Sequence, residues 1–164
     1  ERSPSPEAMT AANPCSGLVV AIDPGRSKCG LVLADCTRGH VLDALVMATE
    51  QTVEQLNQWH QRMHLSSLVL GNGTSSSGLD QQLQHLAPIV RVNEAGTTLR
   101  ARDRYWQIWP ARGWRRLLPH GLRLPPCELD AIAALVLLED HLGQQLEWPR
   151  PPSRGPGFRN VTER

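Results

Sequence analysis

The order of its apolar runs constrains this chain most. Three short runs rich in β-branched and aliphatic residues, at 17–23, 29–34 and 41–47, follow one another with only turns between them. The turn between the first two is rich in Gly, Pro and Ser, so these runs predict a hairpin, and 41–47 predicts a third strand. From there the pattern alternates. Thr49 is placed to cap a helix that carries Val53, Leu56, His60 and Met63 at helical spacing. Residues 67–70 predict a buried strand, and Ser77 with Asp80 makes a capping-box-like start to a helix lined by Leu79, Leu83 and Leu86. Residues 88–92 predict a fifth strand and 98–109 a helix ended by Pro110. A last helix follows Pro125 and Pro126 at about 128–142, apolar nearly all round and therefore expected against the sheet. Three consecutive strands and then αβαβα alternation imply an α/β fold with a mixed five-stranded sheet, antiparallel at the hairpins and parallel where helices cross over.

Composition excludes two classes. The longest uninterrupted apolar stretch, 131–138, has eight residues, against the roughly 20 that a bilayer-spanning helix needs, so no membrane span is expected. At 164 residues and 40% hydrophobic content, a single globular domain is expected rather than a disordered chain. It is placed at 16–147, between a Pro/Ser-rich flexible tail at 1–15 and a Pro/Gly/Arg-rich tail at 148–164. The first residues carry no long apolar region of secretory type, which makes a cytoplasmic location the default expectation. Cys15, Cys29, Cys36 and Cys127 form no CxxC pair and no zinc-type spacing, so free thiols and no structural zinc are expected.

The net charge of +1 says little as a sum, but 16 of the 17 basic residues are arginine. Seven of them, Arg100, Arg102, Arg104, Arg112, Arg115, Arg116 and Arg123, fall in one segment interleaved with Tyr105, Trp106, Trp109 and Trp114. That mixture offers phosphate contacts and stacking surfaces for unpaired bases. The plainer alternative is a helix that buries Trp106 and Trp109 under a solvated arginine face. Trp59, off the main apolar stripe of its helix, marks one possible homodimer interface.

The acids fall at element ends. Asp23 closes the first strand, Glu94 follows the fifth, and Asp130 lies in the opening turn of the last helix. If these ends meet at one sheet edge, three carboxylates converge, an arrangement that is favourable chiefly around a hard divalent cation such as Mg²⁺. Metal-assisted hydrolysis of a phosphodiester is the chemistry such a site implies. Each acid alone has an ordinary account: a turn for Asp23-Pro24-Gly25, a solvated side chain for Glu94, and helix-dipole complementation for Glu128 and Asp130.

The segment Ala21-Ile22-Asp23-Pro24-Gly25-Arg26-Ser27-Lys28-Cys29-Gly30 resembles the first-strand signature of RuvC-like resolvases and their YqgF branch, which share the RNase H fold. Asn93-Glu94-Ala95-Gly96-Thr97-Thr98 is similar to the YqgF fifth-strand motif, and Leu129-Asp130-Ala131-Ile132-Ala133-Ala134 looks like its last-helix motif. Gly71-Asn72-Gly73-Thr74 and Ala95-Gly96 instead resemble the YqgF-like domain of the Tex proteins. The resemblance implies an RNase H-like sheet and a Mg²⁺- or Mn²⁺-dependent nuclease in which Asp23, Glu94 and Asp130 are catalytic metal ligands. Glu128 is a further candidate ligand. The implied substrate is nucleic acid, either a DNA junction or a structured ribosomal RNA precursor. Its candidate contacts are Arg26, Lys28, Asn72, Thr74, Arg100, Arg104, Arg112, Arg115, Arg116 and Arg123. The alternative reading keeps the fold and the arginine surface as a non-catalytic nucleic-acid-binding or regulatory module.

Overall fold

A computed structural model describes residues 16–73, 76 and 78–161. Strands β1 (Leu18–Pro24), β2 (Lys28–Asp35) and β3 (His40–Ala48) form an antiparallel meander, and β4 (Ser67–Gly71) and β5 (Ile89–Val92) add to the free edge of β1 in parallel. The sheet order is β3-β2-β1-β4-β5. This is the mixed five-stranded α/β sheet that the order of apolar runs implies, antiparallel in the meander and parallel where helices cross over.

Alternation along the strands builds two cores. Val20 and Ile22 of β1, Leu31 and Leu33 of β2, and Leu68 and Leu70 of β4 face one side. There they meet Leu56 and Trp59 of α1 (Thr52–Met63) and Leu79 and Leu83 of the short α2 (Leu79–Leu83). Val19, Ala21, Val32, Ala34 and Val69 face the other side, against Ala131, Ala134, Leu135 and Leu138 of α4 (Asp130–Leu142). Nine successive residues of α4, 131–139, are buried, because α3 (Thr97–Ile108) covers its outer face through Ala101, Tyr105 and Trp106. The all-round apolar helix is thus the middle layer.

Four local expectations are corrected. Thr49 does not cap a helix: a 3-10 turn spans Thr49–Gln51, α1 starts at Thr52 without a side-chain cap, and the Thr49 hydroxyl donates to the Gly25 carbonyl at 3.0 Å. It clamps the β1–β2 turn. Trp59 is 5% exposed and lies in the core, because α1 buries the face made by Thr52, Gln55, Leu56 and Trp59 rather than a stripe centred on Val53 and His60. The homodimer expectation loses its motive there. The last helix begins at Asp130, which leaves Glu128 ahead of it rather than in its first turn. The arginine-rich loop holds two 3-10 turns, Gly113–Leu117 and His120–Leu122. The capping box proposed at Ser77 lies outside the described residues.

Residues 148–161, read from sequence as tail, pass the C-terminal end of α3 and reach β3 at 157–159. Val46 donates its N–H to the Gly157 carbonyl at 3.1 Å, Arg159 donates its own to the Val46 carbonyl at 2.7 Å, and the Arg159 guanidinium pairs with Asp43 at 2.9 Å. Together with the Val41–Glu147 bond of 2.7 Å, these contacts occupy hydrogen-bonding groups that an edge strand otherwise presents to solvent. Among the described residues no helix is long and apolar enough to cross a membrane, and Cys29 and Cys127 are free thiols.

Candidate active site

Parallel pairing puts the carboxyl ends of β1, β4 and β5 at one edge of the sheet, the edge at which open α/β sheets bind ligands. Asp23 continues the Val19–Ala21 parity and so lies on the α4 side, one residue past the Ile22–Leu70 pair. Its partner across the hairpin is Gly30. A Cβ at Gly30 would stand 1.9 Å from the Asp130 carbonyl oxygen and 2.5 Å from the Ala131 nitrogen. Only a glycine lets the first turn of α4 seat on β2 there, and this seating brings Asp130 beside Asp23.

Glu94 arrives from the other side. It stands two residues beyond β5 in a turn held by Thr97, whose hydroxyl donates to the Glu94 carbonyl at 2.8 Å, and by Asn72, whose side-chain oxygen accepts the Glu94 N–H at 3.4 Å. Its carboxylate rests on the end of β4: a Cβ at Gly71 would lie 2.5 Å from Glu94 Oε2, and one at Gly73 2.1 Å from Oε1. The Gly-Asn-Gly segment therefore leaves room for this carboxylate. In sequence the two glycines enter only through the Tex resemblance, although a pair of them at the end of a buried parallel strand was the available signal for room beside it.

Electrostatics register the convergence. Burial pushes the Asp23 carboxyl up to about 7, reinforced by the charges of Glu94 and Asp130 and by a side-chain hydrogen bond with Glu94. Two ionised carboxylates cannot donate to each other, and Glu94 Oε2 is buried with no hydrogen-bond partner. A proton shared with Asp23 or a cation answers that orphaned oxygen. The donor set, all carboxylate oxygen, suits a hard divalent ion such as Mg²⁺ or Mn²⁺. Among the described residues no three His, Cys, Asp or Glu side chains are already gathered as a metal cage. Asp23 and Glu94 form the close pair, and Asp130 acts on Asp23 through its field. Burial pushes the Cys127 thiol up to about 11, so it stays protonated and is a poor ligand.

The remaining candidates divide. Lys28 and Glu128 form an ion pair at the rim, each side chain about half exposed, so Glu128 is engaged by a cation of the chain itself. Arg26 and Asn72 are exposed, and Thr74 lies outside the described residues. Arg104 is corrected outright: its guanidinium is 11% exposed and bonds both Glu139 oxygens, at 2.7 to 3.1 Å, and the Leu146 carbonyl at 2.8 Å. It ties α3 to α4 and cannot reach a phosphate. Arg123 spends its guanidinium on the Leu118 and Arg116 carbonyls, both at 3.0 Å, and Arg100 pairs with Asp140 at 2.6 Å. Arg112, Arg115 and Arg116 have no carboxylate partner among the described residues, and Arg115 lies over the Trp114 ring at 5.9 Å.

No protein-family model matches the chain, and no curated protein does. Among solved structures 88 chains match. One is T. thermophilus RuvC in complex with Holliday junction substrate, 12% identical, with a TM-score of 0.42 over 84% of this chain and 85% of that one. That likeness assigns the chain to no family. What the site can do rests on its own carboxylates and on the cations around them.

Proposed function

We propose that this chain is a divalent-metal-dependent nuclease of the RuvC/YqgF type, hydrolysing phosphodiester bonds in structured nucleic acid. The observation that carries the reading is the half-buried Asp23–Glu94 pair at the carboxyl edge of the sheet, with one buried oxygen of Glu94 unpartnered and the charge of Asp130 beside it. A cluster of acids that disfavours its own ionisation is costly to keep unless a cation neutralises it. Asp23, Glu94 and Asp130 would hold Mg²⁺ or Mn²⁺, which when bound activates water and stabilises charge on the phosphoryl and leaving oxygens. The residues prepare that state. Asp23 gives up the proton it holds up to about pH 7, and Glu94 keeps its carboxylate aimed inward because Thr97 and Asn72 fix its backbone. Lys28 at the rim carries a positive charge that feels Asp130, drawn toward Glu128 but half exposed to an incoming phosphate.

The test is a panel of four-way-junction DNA, single-stranded RNA and structured precursor RNA, each incubated with Mg²⁺, Mn²⁺ or EDTA. Cleavage of at least one substrate is expected with metal only, falling about 10²-fold or more in Asp23→Asn. Binding without metal-dependent cleavage of any member would leave the non-catalytic nucleic-acid-binding module as the correct reading.

A further inference from the structure

A cavity of about 690 Å³ opens between the C-terminal end of α3, the start of the arginine-rich loop and the returning C-terminal segment. Its apolar wall is built from Tyr105, Trp106 and Trp109 with Pro126, Pro151 and Pro152. Trp109 is fixed: it stacks on Tyr105 at 4.9 Å and 26°, and its indole N–H donates to the Pro152 carbonyl at 2.7 Å. Arg112, Arg115 and Arg154 also line the cavity, and among the described residues no acidic side chain does. In two other cavities the arginines are paired with carboxylates, Arg100 and Arg104 with Asp140 and Glu139, and Arg91 with Asp80. Three arginines gathered without a counter-charge repel one another, and an anion with a flat apolar part satisfies both the arginines and the wall.

We propose that this cavity, defined by three uncompensated arginines over a tryptophan–proline wall, receives one unpaired nucleotide of the nucleic-acid substrate. The proposal rests on the nuclease reading of the acidic site, and chain geometry links the two places. Pro126 lines the cavity and Asp130 flanks the acids; four residues of chain span at most about 14 Å, so the cavity lies within a few nucleotides of the acids. The occupant is unpaired because a concave site takes a flat base only when that base has left its stack, whereas a duplex presents phosphates on a convex surface and hides the base faces. Arg112 and Arg154 engage the phosphate, and the base rests on the aromatic and proline wall. Arg154 lies in the segment that sequence reading set aside as a tail.

The test compares a blunt duplex with the same duplex carrying a single-stranded arm, by fluorescence anisotropy on the full chain in EDTA. The arm is expected to tighten binding about tenfold or more. In Arg112→Ala/Arg154→Ala that gain is expected to vanish, and the log–log salt slope for the armed substrate to fall by about 0.7, one single-strand phosphate contact. Both arginines are exposed and unpaired among the described residues, so the variant should melt with the wild type. Equal wild-type affinity for blunt and armed duplexes, or an arm preference that survives the double substitution, overturns the proposal. Displacement of the arm by an acidic peptide as readily as by a mononucleotide overturns the nucleotide assignment. No arm preference in a wild type that still cleaves would remove the cavity's role alone, and an arm preference in a wild type without metal-dependent cleavage would remove the nuclease reading alone.

Discussion

At the scale of single residues, the decisive quantity is the proton on Asp23. Below about pH 4 this carboxyl is protonated in both folded and unfolded chains; between pH 4 and about 7 the unfolded chain releases the proton while the folded one retains it. The metal-free protein therefore loses stability as pH rises through that window, by a few kcal/mol at most. Urea midpoints at pH 5 and pH 8 in EDTA should show the decline, Asp23→Asn should flatten it, and millimolar Mg²⁺ should offset it in the wild type alone. An equal decline in the variant would place the titrating group elsewhere. Glu94 and Asp130 were legible as candidates because acids at element ends stand out against an apolar pattern. Glu128 is the weaker candidate in sequence, lacking the motif match of Asp130. It is set apart by an ion pair with Lys28, one hundred residues away in sequence.

At the scale of elements, two contacts hold the helices where the acids need them. Gly30 seats α4 on β2, and the atom a side chain would strike belongs to the helix backbone, not to a flexible side-chain end. Gly30→Ala should cost on the order of 3 kcal/mol in urea unfolding and should abolish cleavage, since relief requires α4, and Asp130 with it, to move away from Asp23. An alanine variant with wild-type stability would mean that the helix shifts freely. The Arg104–Glu139 pair joins α3 to α4, and Glu139 also accepts the Leu146 N–H at 2.8 Å. Removing the arginine strands a buried carboxylate, so Arg104→Ala should lower stability by about 3–5 kcal/mol, whereas Arg116→Ala, exposed and without a carboxylate partner, should leave it within about 0.5 kcal/mol. Thermal melts of the two variants side by side decide this. Helical signals predict a helix at 98–109, within a residue of α3; they could not show which of its arginines turns inward, because that depends on what α4 presents at Glu139.

For the whole molecule, the returning segment is the largest departure from the sequence reading. Ending the chain after Trp148 removes the backbone bonds of Gly157 and Arg159 to Val46, the Arg159–Asp43 pair and the Pro152 acceptor of Trp109. The melting temperature of that truncation should fall on the order of 5–10 °C, and the opened β3 edge should promote self-association detectable by sedimentation. A monomer with unchanged melting behaviour would show the segment to be only loosely attached. Sequence alone determined the kinds and order of the elements, the strand faces and the placing of Asp23, Glu94 and Asp130 at element ends, because periodicity, turn residues and caps are local signals carried by neighbours along the chain. Tertiary structure alone decided that Trp59 is core, that Thr49 clamps a hairpin, that Gly71 and Gly73 make room for Glu94, and which arginines are free. Those outcomes depend on partners tens of residues distant, as with Arg104 and Glu139 at a separation of 35 and Arg159 and Asp43 at 116, and a buried charge takes whichever counter-charge the packing brings to it.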